Sequence, residues 1–123
     1  MIFFSTDYVV SDMGWLRDIT GQLMLFYVRR DLDPPETRTR KTWRSVGLAL
    51  NVDPGDLNLI EIDYITGRSP TESLLNVLQT FENEPKLTEF VQALIFCDRH
   101  DVAQYISNWQ WEINNLDENN TYP

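Results

Sequence analysis

Apolar residues in the second half of the chain recur at helical spacing. Leu74, Val77, Leu78 and Phe81 fall at i, i+3, i+4 and i+7, and after Asn83-Glu84-Pro85 the spacing repeats in Leu87, Phe90, Val91, Leu94 and Ile95. Asp98-Arg99-His100-Asp101 interrupts it again, and Val102, Tyr105, Ile106 and Trp109 resume it. The stretch from Gly67 to Ile106 therefore predicts three amphipathic helices in a row. Ser69-Pro70-Thr71-Glu72 marks the first start, because Ser69 can accept from free backbone N–H groups, Pro70 suits the first helical position and Glu72 completes a capping box.

Upstream, Asp12 to Arg30 reads as a first helix with Leu16, Ile19, Leu23, Phe26 and Tyr27 on one stripe. Leu25 and Val28 widen its apolar surface, and Gly21 weakens its interior by roughly 1 kcal/mol relative to alanine, which a helix crossing would explain. Pro34-Pro35 cannot continue a helix. Trp43, Val46 and Leu50 then point a second helix inward, with Trp43 expected in the core. Asp53 is a ready N-cap and Pro54 a suitable first position for the next element. Leu57 to Tyr64 alternates over part of its length, as a strand would, yet Leu57, Ile60 and Tyr64 also fit one face of a short helix. A lone strand cannot satisfy its own backbone, so a short helix is expected. The last pattern runs on through Trp111 and Ile113, and the polar stretch Asn114 to Pro123 reads as a disordered acidic tail. The expectation is one all-α domain over residues 12–113, with a tail over 114–123.

The same residues carry a resemblance. Trp43 to Leu50 resembles the "W-x-x-L-A-x-x-L" helix of the death domains, and Ile60-Glu61 resembles part of their next one. Pro70-Thr71 with Leu74-Leu75, then Leu87, Phe90 and Leu94, then Arg99, Asp101 and Ile106 follow in that family's order. The resemblance spans Leu16 to Trp109, with Leu78 where many members carry tryptophan and Gly47 inside the second helix. It implies a six-helix antiparallel Greek-key bundle of the adaptor type. It further implies homotypic docking to other death domains, often in helical oligomers, within apoptotic or innate-immune signalling complexes in the cytoplasm. No cofactor follows from it.

Charge sharpens this picture. The 123 residues carry a formal net charge of −9, which disfavours general nucleic-acid binding and anionic membrane surfaces. Yet Arg38, Arg40, Lys41 and Arg44 fall within seven positions. They form either a solvated loop or a positive docking patch, whose counterpart would be an acidic surface such as Asp53, Asp56, Glu61 and Asp63 on a partner or another copy. Arg68 joins these candidate partner-binding residues. The alternative use of the patch is nucleic-acid binding in a transcription-associated domain.

Catalytic chemistry finds little support in the sequence. Cys97 is the single cysteine and His100 the single histidine. Two ligands at that spacing are half of a structural zinc site, and no second pair exists. The five glycines are scattered rather than gathered in a phosphate loop. A lone cysteine permits no internal disulfide and suits a reducing compartment. The apolar N-terminal run stops at Asp7, without a basic n-region, and is expected to be neither a signal peptide nor a span.

Overall fold

A computed structural model of the chain describes residues 8–11 and 19–120. Its helices are α1 (Ile19–Leu32), α2 (Trp43–Ala49), α3 (Pro54–Ile65), α4 (Pro70–Gln79), α5 (Leu87–Phe96) and α6 (His100–Asn120). The described residues contain no strand. The one extended pairing is an isolated bridge between Val9 and Lys86, which ties Tyr8–Ser11 to the α4–α5 turn through Val10 N–H to the Pro85 carbonyl and Leu87 N–H to the Tyr8 carbonyl.

The helix starts follow the sequence chemistry closely. Asp53 Oδ1 accepts from Gly55 N–H at 3.0 Å ahead of Pro54 at the head of α3. Ser69 Oγ accepts from Glu72 N–H at 3.2 Å at the head of α4. Asp33 reinforces that start from across the chain, its Oδ1 accepting from Ser69 Oγ and Thr71 N–H. Thr42, the N-cap of α2, makes no side-chain cap; Glu36 Oε1 instead accepts from the Thr42 and Ser45 amides.

Three helix ends share one geometry. Asn51, Gly67 and Asp98 adopt positive φ directly after the last residue of the C-cap, at 65°, 93° and 59°. The amide after each reaches back to the third-last helical carbonyl: Val52 to Gly47, Arg68 to Asp63, Arg99 to Leu94. These are Schellman closures, which satisfy carbonyls that the helix leaves open. They turn the chain sharply enough for short helices to pack back on one another.

α4 packs against α1, α2 and α3, while α2 also touches α5, and α6 lies against both α1 and α5. Leu57, Leu74, Leu78, Leu87, Phe90, Leu94 and Ile106 are fully buried between them, with Trp43 beside them as expected. Gly47 lets α2 approach closely: a Cβ there would stand 2.7 Å from Leu57 Cδ2 and 3.0 Å from Leu74 Cδ1.

Several expectations need correction. In α1 the inward stripe is Gly21, Met24, Val28 and Leu32, whereas Leu23 and Phe26 are 51% and 53% exposed and Tyr27 is half-buried. Residues 21–28 are apolar on most sides of the helix, so periodicity could not select a face; contact with α4 and α6 did. Leu16 lies outside the described residues, as does Asp12 to Asp18 generally. In α5 Ile95 turns outward and Ala93 inward. In α6 Trp111 is exposed and Gln110 is buried in its place. That helix runs to Asn120, past the expected tail boundary at Asn114.

Candidate interaction surface

α3 presents two apolar faces. Leu57 and Ile60 point into the core, and Tyr64, expected beside them, is exposed. Leu59, Ile62 and Ile65 are 61%, 60% and 82% exposed, a row of large aliphatic side chains left outside the core of the described residues. Contiguous exposed apolar groups of this kind mark contact surfaces. A second feature is a groove of about 790 Å³, bordered by apolar Leu48, Phe81, Pro85 and Phe96 and by polar Asn51, Asn83, Glu89 and Gln92.

The basic segment is divided in two by its partners. Arg44 turns toward α3, where Nη1 meets Glu61 Oε2 at 3.2 Å and Nη2 donates to Asn58 Oδ1 at 2.8 Å. Two residues expected on opposing halves of an interface are thus paired within one chain. Arg40 Nη2 pairs with Asp101 Oδ2 at 3.3 Å. Arg38 and Lys41 are exposed, and among the described residues their side chains have neither an ion pair nor a hydrogen bond. On the acidic side Asp53 is a helix cap and Glu61 is engaged, which leaves Asp56 and Asp63 as exposed carboxylates with no ion pair among the described residues. Arg68 is exposed beside the α3–α4 turn. Of the nine candidate residues, Arg38, Lys41, Arg68, Asp56 and Asp63 therefore keep their charge available to a partner.

The loop that carries Arg38 to Lys41 is held from below. Arg99 is 3% exposed, and its Nη1 donates to the Lys41 carbonyl at 2.7 Å and Nη2 to the Asp31 carbonyl at 3.0 Å. Nε and Nη2 also grip both oxygens of Asp101. Those bonds, together with the Arg99 and Arg40 charges and the Val102 amide, hold the Asp101 carboxyl below its ordinary range against partial burial. Burial opposes the ionisation of Glu36 as well, but hydrogen bonds from Ser45 and Thr42 and the Arg44 charge keep it low. At the end of α1, burial likewise opposes Asp31, whose carboxyl is nevertheless lowered by Arg30 and Tyr105.

Cys97 and His100 stand in different surroundings. Cys97 is buried, and desolvation pushes its thiol up, away from the thiolate. His100 is exposed, with Nε2 3.5 Å from Asp98 Oδ1. Among the described residues no three His, Cys, Asp or Glu side chains gather as metal ligands, and no helix is long and apolar enough to cross a membrane. Comparison with family models, with curated proteins and with solved structures found no match.

The outward row on α3 was absent from the sequence reading, although a signal was present. Leu57, Leu59, Ile60, Ile62 and Ile65 are more apolar residues than one face of a short helix can bury. The apparent alternation over this stretch came from that second face.

Proposed function

We propose that the chain is a non-enzymatic protein–protein interaction module of death-domain type, docking with other copies of its fold to assemble an intracellular signalling complex. The observation that carries this reading is the outward face of α3. Leu59, Ile62 and Ile65 offer apolar area, and Asp56 and Asp63 offer charge complementary to Arg38 and Lys41. An acidic, apolar face on one copy and a basic loop on another suit head-to-tail assembly. The order of the six helices among the described residues, with α6 against α1 and α5, supports the Greek-key arrangement that the resemblance implies. Direct contacts at the α3 row supply affinity, while the charges set encounter rate and register.

The test is size-exclusion chromatography with light scattering on the chain and on Leu59→Asp/Ile62→Asp. The native chain is expected to associate as concentration rises, and the variant to stay monomeric with an unchanged circular dichroism spectrum. A native chain that remains monomeric at high micromolar concentration in low salt, with no binding to any second death domain, overturns the reading.

A further inference from the structure

A second concavity lies where the basic loop meets the start of α6. It measures about 460 Å³ and is lined by Arg38 to Lys41 on one side and Cys97 to Asp101 on the other. Four cationic side chains face two carboxylates there, in a chain whose net charge is −9. The carboxylates subtract less than their number suggests. Both Asp101 oxygens are taken up by Arg99, with Arg40 also on Oδ2, and the Asp98 side chain is 95% exposed to water. Arg99 is committed to its carbonyls and Asp101, so it contributes field rather than contact. Arg38 and Lys41 remain as donors with no partner among the described residues, and the α6 N-terminus adds its dipole at the rim.

We propose that this cavity receives a phosphate monoester dianion. The guanidinium of Arg38 matches two phosphate oxygens at once, Lys41 supplies a mobile point charge, and a doubly charged tetrahedral group uses such convergent donors better than a carboxylate does. Cys97 and the Arg99–Asp101 pair line the cavity beside these donors. The inference rests on the docking reading in one respect only: a bound phosphate occupies Arg38 and Lys41 and so competes with Asp56 and Asp63 of another copy.

The experiment is a two-dimensional ¹⁵N NMR titration of the full chain with inorganic phosphate, O-phospho-L-serine, and sodium chloride at matched ionic strength. Saturable shifts centred on the amides of Arg38 to Lys41 and His100 to Val102, absent with chloride, are the expected result. Tighter binding of O-phospho-L-serine than of phosphate assigns the ligand to a modified side chain, and the reverse order assigns it to free phosphate. Arg38→Gln/Lys41→Gln, which removes no bond that holds the fold, is expected to weaken binding by about tenfold or more. Equal shifts with chloride, or unchanged affinity in the variant, overturn the inference. Self-association of the same samples is read separately by light scattering, so loss of the phosphate site and loss of the docking reading give different results.

Discussion

Arg99 and Asp101, two residues apart at the α5–α6 turn, form a two-bonded ion pair: Nε to Oδ1 at 3.1 Å and Nη2 to Oδ2 at 3.0 Å. The pair matters less for its own attraction than for where it holds the guanidinium. With its remaining donors Arg99 fastens the end of α1 and the loop before α2 to the head of α6. Removing it strands the Asp31 and Lys41 carbonyls. Arg99→Ala is therefore expected to cost about 2–3 kcal/mol, read by urea denaturation. Arg99→Lys is expected to recover only part of this, because an ammonium cannot reproduce the planar fork. Equal stability of Arg99→Ala and the native chain would contradict the assignment.

The pH dependence follows from the same pair. Asp101, Asp31 and Glu36 all titrate below their ordinary values in the folded chain. A depressed folded-state pKa contributes stability that is fully present above the unfolded value of about 4 and is lost as pH falls through the folded one. Melting temperature is expected to fall as pH drops below about 4. Asp101→Asn is expected to be less stable at neutral pH and to show a shallower acid slope. The Asp101 side chain is 44% exposed, so solvent screens its share.

Gly47→Ala tests the close approach of α2. Alanine ordinarily gains about 1 kcal/mol over glycine inside a helix. Here its methyl would press on Leu57 and Leu74, both fully buried, at 2.7 and 3.0 Å. Overpacking of a filled core costs about 1–3 kcal/mol, so the net change is expected to be a loss of about 1 kcal/mol. A stabilised Gly47→Ala would show that the two leucines yield freely.

Gln110 gives a prediction of the opposite sign. Its amide is fully buried, and among the described residues neither Nε2 nor Oε1 has a hydrogen-bond partner. Gln110→Met keeps the volume and removes the unmet polar atoms, and is expected to raise stability by about 1–3 kcal/mol in thermal and urea melts. A destabilised variant would mean that the amide has a partner such as water.

What the sequence made legible was local. Caps at Asp53 and Ser69, and the inward positions Trp43, Leu74, Phe90 and Ile106, were readable because capping chemistry and period act within a few residues. The face of α1 was not, since Leu23, Met24, Leu25, Phe26 and Val28 offer overlapping stripes and only packing against α4 and α6 chooses among them. The candidate site was half legible. Charge clustering located the basic loop, but the pairing of Arg44 with Glu61 and Arg40 with Asp101 depends on contacts across the fold that linear spacing does not encode. Asp33, as a cap for the distant α4, was invisible for the same reason.

The central claim is that the unpaired charges of the basic loop meet the acidic α3 face of another copy. A charge-swap mixture tests it most directly, using Arg38→Glu/Lys41→Glu as one partner and Asp56→Lys/Asp63→Lys as the other. Sedimentation velocity at low salt should show each variant alone with weakened association and the equimolar mixture with association restored, while all melt like the native chain. Mixed samples that associate no better than either variant alone, or charge-reversed chains that associate as the native one does, would contradict the account.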